Sequence, residues 1–376
     1  MRIGIVLYPT YGGSGIVATE LGKELAKKGH EVHFITYAQP VRLDIYQANI
    51  FYHEVAIFDY PLFDYQPYEL ALTSKLVDVT MHEKLDILHV HYAIPHASAA
   101  YFAQQILKSQ GIEIPFITTL HGTDITLVGK DASFEPVITF SINNSDAVTV
   151  VSESLKIDTL DHFDINNQID VIPNFIRHSN YVKLPDSKCL RSQFAPNNER
   201  IITHISNFRK VKRVDDVLKI FKEVNKEVPS KLLLVGDGPE RQHLEQLCRE
   251  LEICNHTVML GKIQNVSEIL CCTDLFLLPS ETESFGLSAL EALASSVPVV
   301  SSNTGGLPEV NKHAFSGYLS QVGNINEMAM NSISILKDDE TLAQFKAQAY
   351  KHSLNFGIET VLPMYEALYE QLTIKV

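Results

Sequence analysis

The sequence predicts an α/β fold built of two doubly wound parallel-sheet domains facing a cleft. Three observations carry that expectation. Short β-branched, apolar runs alternate with amphipathic helical stretches through the first half of the chain. The same alternation restarts in the second half, after a polar stretch broken by prolines. At 376 residues the chain is also too long for one hydrophobic core, so two domains are expected.

The strand-like runs of the first half are IGIVLY, EVHFITY, ILHVHY, PFITTLHG and AVTVVS. Several are apolar throughout, as strands covered on both faces must be. Between the first two lies GIVATELGKELAKKGH, helical in period, with Gly29 placed as its C-cap. Strand, helix and strand in that order build a parallel sheet. The second half runs IITHIS, KLLLVGDG, TVMLGK, DLFLLPS and VPVVSS, separated by helical pieces such as RVDDVLKIFKEVNKEV and PERQHLEQLCRELEI. VIPNFIRHSNYVKLPDSKCLRSQFAPNNER joins the two halves. The expected division is a Rossmann-like domain over 1–175, a linker region over 176–200, a second Rossmann-like domain over 201–353 and a C-terminal helix over 354–376. The last rests on the helical pattern of TVLPMYEALYEQLTIKV.

A formal net charge of −14 argues against a nucleic-acid or anionic-membrane surface, because counterion-release binding needs clustered Lys and Arg. It leaves room for one anionic small molecule held by helix N-termini and a few local cations. The five cysteines are odd in number and form no C-x-x-C pair, so neither a disulfide framework nor a zinc ribbon is expected. MRIGIVLYP is not a signal peptide, and no apolar run approaches the ~20 residues of a membrane span. The expected setting is the cytoplasm, with no membrane and no nucleic-acid partner.

In doubly wound sheets ligands bind beyond the strand C-termini, so the loops there carry the functional reading. The first is YPTYGGSGIVATE. Gly13-Ser14-Gly15-Ile16-Val17-Ala18 matches a G-x-G-x-x-A dinucleotide fingerprint, yet no carboxylate closes the second strand to hold a ribose. The reading lies between a tight βα turn and an anion site at a helix N-terminus. In HVHYAIPHA, His89 and His91 share one strand face, and His96 follows. Without a carboxylate or cysteine at ligand spacing, core or cleft-lining histidines are favoured over a metal site. In TTLHGTD, His121 ends a strand and Asp124 has cap-like character; a donor in the cleft and a structural histidine weigh about equally.

In the second half, Arg209, Lys210, Lys212 and Arg213 form a basic cluster after a strand, placed to neutralise a phosphate or simply to be solvated. Gly236 to Pro239 give a close-packed turn, and Gly305-Gly306 another. In PSETESFGLSALEA, Ser284, Phe285, Gly286 and Leu287 stand at a helix start, whose N–H groups suit a diphosphate. Glu283 at the mouth suits sugar hydroxyls, and Glu291, two turns on, suits a ribose diol. The basic cluster is expected to face these groups across the cleft.

Together these residues resemble the retaining glycosyltransferases of family 4, which have the GT-B fold. The pattern E-S-F-G-L-x-x-x-E runs from Glu283 to Glu291, and Pro173-Asn174-Phe175-Ile176, HGTD and VGDGP match as well, so the resemblance spans essentially the whole chain. One departure stands out. Many relatives carry G-R-x-x-x-x-K, but here Asn207 stands where their Arg would be; Lys212 matches the Lys, and Arg209 is the candidate substitute. YPTYGGSG, HVHYAIPHA, LHGTDIT and ISNFRKVKRV resemble the members of the family that begin bacillithiol formation. That likeness implies UDP-GlcNAc as donor, L-malate as acceptor and UDP as leaving group.

By resemblance, His121, Arg209, Lys212 and Glu283 are catalytic. Gly15, Asn207, Gly236, Ser284, Phe285, Gly286, Leu287 and Glu291 bind the donor. Gly13, Ser14, Tyr92, Thr123 and Asn174 take the acceptor. The final helix would cross back to the first domain, and a homodimer is implied by the family's habit. No D-x-D element is present to bridge a metal and a diphosphate, and Asp215-Asp216 reads as helix surface, so no metal and no cofactor are expected. The rivals are a GT-B transferase with another acceptor such as inositol phosphate, a UDP-sugar epimerase, an NAD-dependent oxidoreductase and a non-enzymatic sugar-nucleotide sensor.

Overall fold

A computed structural model of the chain describes residues 1–10, 12–56, 67–128, 131–181 and 191–374. Two units divide it: Met1–Asn174 with Glu359–Val376, and Phe175–Ile358. In the first unit β1 (Arg2–Val6), α1 (Gly13–Lys27), β2 (Glu31–Thr36), β3 (Ile50–Glu54), α2 (Tyr68–Glu83) and β4 (Ile87–His91) come first. α3 (Ser98–Ser109), β5 (Phe116–Leu120), α4 (Glu135–Asn143), β6 (Ala147–Val150), α5 (Glu153–His162) and β7 (Ile169–Val171) follow. The sheet has seven strands in the order β3-β2-β1-β4-β5-β6-β7, each neighbouring pair parallel. Strand order reverses at β1/β4, the place where such sheets take a ligand at their carboxyl ends.

Ile3, Ile5, Leu88 and Val90 of the central strands are fully buried, which is why these runs lack a polar alternation. α1 ends as its sequence suggests, with Gly29 at φ 94° and its N–H donating to Ala26 O. At its other end, a Cβ on Gly15 would lie 2.6 Å from Tyr8 O and 2.7 Å from Thr10 O. Only glycine lets the helix start so close to the loop leaving β1.

The second unit holds α6 (Arg191–Phe194), β8 (Arg200–Ile205), α7 (Val214–Glu227), β9 (Ser230–Val235), α8 (Arg241–Glu250), β10 (Thr257–Gly261) and α9 (Ser267–Leu270). β11 (Leu275–Leu278), α10 (Leu287–Ala294), β12 (Val299–Ser302), α11 (Leu307–Val310), β13 (Gly317–Ser320), α12 (Ile325–Leu336) and α13 (Asp339–Ser353) complete it. Its six strands run β10-β9-β8-β11-β12-β13, again all parallel, and reverse at β8/β11.

α14 (Ile358–Thr373) belongs with the first unit from Glu359 on. Tyr365 and Tyr369 are buried there, and the Tyr369 hydroxyl meets His89 Nδ1 at 2.7 Å. Residues 354–358, expected with this helix, go with the second unit. Of the expected linker region, 176–181 and 191–200 also belong to the second unit, while 182–190 lie outside the described residues. Arg191 shows why: its guanidinium donates to Cys272 O, Glu199 O and the buried Asp274 carboxylate.

β3, β7 and β13 are strands that the apolar-run reading did not single out. β3 is an edge strand whose residues IFYHE are only partly buried, β7 has three residues, and β13 opens on a glycine. None of the three offers a long apolar run.

Candidate active site

In the first unit, the loops after β1, β4 and β5 bring four of the expected residues together. Ser14 Oγ and Tyr92 OH are 2.6 Å apart, and Thr123 lies near the Tyr92 hydroxyl. The Tyr92 and His121 rings lie 5.4 Å apart. Burial pushes the Tyr92 hydroxyl up to about 12, so it stays a neutral donor and acceptor. Gly13 is the first residue of α1, a helix with no side-chain cap and no acidic residue in its first turn. Its N-terminal N–H groups thus favour an anion. Asn174 stands apart. It follows β7, two strands beyond β5, and no hydrogen bond joins it to this group among the described residues.

His121 Nε2 meets His91 Nδ1 at 2.8 Å. Behind them His89 joins the Tyr369 hydroxyl and Thr119 Oγ1, each at 2.7 Å. His89, His91 and His96 are fully buried. Burial drives His89 and His121 down to about 3 and His96 to about 4, so these imidazoles are neutral at physiological pH. The bland reading of the first three as core histidines holds. Asp124 does more than cap. Its buried carboxylate accepts from the N–H groups of Ala93 and Gly122, tying the loop after β4 to the loop after β5. Burial raises it to about 6.

In the second unit, the loops after β9, β8, β11 and β12 interlock in the order of their strands. Phe208 N donates to Asp237 O, Glu281 N to Val211 O, and Gly306 N to Glu283 O. The approaches are so close that side chains would not fit. A Cβ on Gly236 would stand 1.8 Å from Ser206 O, and one on Gly305 would stand 2.0 Å from Glu283 O. The glycine turns are thus the clamp that holds the motif loop, not only its walls.

Within that clamp Lys212 Nζ reaches Glu283 Oε1 at 2.6 Å, and Ser280 Oγ donates to the same oxygen at 3.0 Å. Both residues come from adjacent strands of one unit, so the basic cluster meets Glu283 from beside it rather than across a cleft. The cluster also divides. Arg213 pairs with the buried Asp216 at the start of α7, at 2.6 Å. Asp216, expected on the surface, is in fact a buried helix-start charge, and Lys219 binds it as well. Arg209 and Asn207 are exposed, and Arg209 makes no ion pair among the described residues. It remains available to an anion.

Gly286 adopts φ 97° and opens α10, which no side chain caps. Phe285 is buried against Phe356, while Ser284 and Leu287 are partly exposed at the helix start. Glu291 is buried two turns on and accepts from the Tyr181 hydroxyl at 2.8 Å. Tyr181 was not legible as a site residue. It is one aromatic in the polar stretch HSNY, and only the fold brings it to α10.

The comparisons with known proteins show the family and the fold. The family model Glycosyltransferase Family 4 matches residues 11–180, and Glycosyl transferases group 1 matches residues 188–352. The chain is 47% identical over 370 residues to the N-acetyl-alpha-D-glucosaminyl L-malate synthase of Bacillus anthracis, covering 98% of this chain and 96% of that one. The fold resembles sucrose-phosphate synthase of Thermosynechococcus elongatus, with a TM-score of 0.82, 20% identity and full coverage of both chains. It also resembles Anabaena HepE in complex with UDP and glucose, with a TM-score of 0.82, 20% identity and coverage of 98% and 99%. No helix among the described residues is long and apolar enough to cross a membrane. The chain belongs to the family 4 glycosyltransferases and has their GT-B fold.

Proposed function

We propose that this glycosyltransferase moves GlcNAc from UDP-GlcNAc to the hydroxyl of L-malate, with retention of the α configuration, giving GlcNAc-malate and UDP, the first step of bacillithiol formation. The observation that carries the reading is the 47% identity, over nearly the whole chain, to a synthase of that name.

The geometry supports a division of labour. In the second unit, Lys212, the guanidinium of Arg209, which makes no ion pair among the described residues, and the uncapped start of α10 at 284–287 are cations and N–H donors suited to the charge that grows on departing UDP. Asn207 and Gly236 line the same loops. Glu283 takes sugar hydroxyls, and Glu291 the uridine ribose. No flanking carboxylate pair of the glycosidase kind is invoked. The acceptor hydroxyl passes its proton to the leaving β-phosphate oxygen as the glycosidic bond to UDP breaks and the new one forms on the same face.

In the first unit, His121 is assigned to the sugar's O6. Its low proton affinity suits it to hydrogen bonding and not to proton delivery. The hydroxyls of Ser14, Tyr92 and Thr123, with the N–H of Gly13, are donors of the kind a dicarboxylate requires. Gly15 lets α1 begin close to that group. Asn174, after β7, is the acceptor candidate set apart from this group. The reaction runs without a metal ion or other cofactor, in the cytoplasm, and the chain works as a homodimer, which sedimentation would read directly.

UDP release from UDP-GlcNAc, followed in chelator with no acceptor, L-malate or an inositol phosphate, tests the reading. Stimulation by malate alone, with the mass of GlcNAc-malate, is expected. Stimulation by the inositol phosphate alone would replace the acceptor, and epimerised sugar without any acceptor would replace the reaction.

A further inference from the structure

Apart from the loops described above, β2 and β3 carry two histidines on one face of the first sheet. His33 is in register with Phe51, and Ile35 with His53, so His33 and His53 are diagonal neighbours. Their ring planes are nearly parallel, at 16°, and His33 Nδ1 faces His53 Nε2 at 2.9 Å. Glu83, the last residue of α2, brings a carboxylate oxygen to the same place, and the three side chains offer ligand atoms all within 4.8 Å of one another.

The charges around this group are unbalanced in a useful direction. Glu83, Glu31 and Arg2 face His33, while Glu83, Lys75 and Asp78 face His53. Arg2 is engaged by Glu31 at 2.9 Å, and Lys75 leans on Asp78 at 3.6 Å. The Glu83 carboxylate has no ion pair among the described residues, so one negative charge is left beside two imidazoles. Burial lowers His33 to about 4 and lowers His53 as well, which keeps both in the unprotonated form that ligates.

We propose that His33, His53 and Glu83 bind a divalent transition-metal cation, zinc foremost, which fastens the edge strand β3 and the end of α2 to β2. Two nitrogens and one carboxylate oxygen are a zinc-type donor set, with a fourth position left to water. Nitrogens 2.9 Å apart subtend about 90° at bonds of ~2.0–2.1 Å, and the Glu83 oxygen, within 4.8 Å of both, would complete the set by swinging toward them. His33 Nε2 is buried without a hydrogen-bond partner. Because no outer partner braces that ring, affinity falls roughly 10–100-fold below that of sites whose histidines are braced. None of the three residues is assigned to the transfer reaction, so this cation is structural and turnover does not depend on it.

The test uses the full, untagged chain, first stripped with chelator and then titrated calorimetrically with Zn²⁺. One zinc per chain is expected, with a melting temperature raised by about 3–6 °C at saturation. His53→Gln and Glu83→Gln should each weaken uptake at least tenfold and abolish the shift, with turnover unchanged. His82→Gln, on the same helix, should keep both. Zinc uptake that persists in His53→Gln and Glu83→Gln, or wild-type chain that takes up no zinc at micromolar concentration, overturns the proposal.

Discussion

Lys212 and Glu283 form an ion pair, Nζ to Oε1 2.6 Å, between the loops that follow two adjacent strands of the second sheet. Both side chains are mostly buried, 20% and 12% exposed. Both are proposed to contact the donor, and the pair balances one positive and one negative charge of the site, so diphosphate and sugar compete with it for the same two groups. Removing either partner alone, by Lys212→Met or Glu283→Gln, should cost roughly 1–3 kcal/mol of stability, because a poorly solvated charge is left alone. The double variant should recover part of that loss, a coupling of about 1 kcal/mol or more in a urea-denaturation cycle. Saturating UDP should shrink the coupling. Lys212→Met should also lower kcat about 10²–10³-fold. Additive single losses would remove the pair from the account.

The clamp on the motif loop predicts a sharp response at Gly305. Alanine there would drive its Cβ to 2.0 Å from Glu283 O, at a φ of 54° that alanine disfavours. Gly305→Ala should lose about 2 kcal/mol or more in denaturant unfolding and weaken UDP binding as Glu283 is displaced. Gly12→Ala is the contrast. Its φ of −68° is ordinary and its nearest neighbour is Thr10 Oγ1 at 3.3 Å, so a change within ~0.5 kcal/mol is expected.

Glu291 and Tyr181 predict a split between binding and chemistry. Ribose contacts are alike in the ground and transition states, so their loss raises KM and spares kcat. Glu291→Ala should raise KM for UDP-GlcNAc by about 10–100-fold. Tyr181→Phe removes one hydrogen bond to the carboxylate while keeping the carboxylate, and should raise KM only a few-fold, on the scale of one hydrogen bond. Steady-state kinetics with malate held saturating reads both. A fall in kcat at unchanged KM would move Glu291 out of the ribose role.

The buried histidines of the first unit predict acid sensitivity with a defined sign. His89 and His96, both fully buried, have folded-state affinities pushed to about 3 and about 4, well below the value of a free histidine, and burial drives His91 down as well. Below about pH 6.5 the unfolded chain takes up protons that the folded chain does not, so stability falls with falling pH. Each contributes up to ~1.4 kcal/mol per pH unit through that window. Asp124, raised to about 6, acts in the opposite sense, gaining stability as it protonates, but it is one group against several. Urea midpoints at pH 7, 6 and 5 should fall steeply, and a flat profile would contradict the burial of these imidazoles.

The fold was legible because its signal is local. Fully covered strands such as IGIVLY and DLFLLPS read as continuous apolar runs, and Gly29 marked a helix end that the structure keeps. Edge strands carry no such signal. IFYHE has one buried position and reads as loop, so no sequence pattern singles out His53. Among the residues proposed for the site, those tied to a pattern can be named from the sequence: Glu283 and Glu291 by spacing, Lys212 by its place after a strand. Pairing was not. That Lys212 meets Glu283 within one unit follows from β8 lying beside β11, a neighbour relation between strands about seventy residues apart. Asp216 misled for a related reason. An aspartate near a helix start reads as solvated, and only the turn at Arg213, with φ 48°, folds a cation back over it.

GlcNAc is proposed to pass from UDP-GlcNAc to the malate hydroxyl with its anomeric configuration kept and no metal required. Proton NMR of the reaction in chelator, with UDP-GlcNAc and L-malate, reads all of this in one spectrum. Loss of the donor's anomeric signal is expected, with growth of a new α-anomeric signal in step with a shifted malate methine. A β-anomeric product, or malate left unchanged while the donor is consumed, would contradict it.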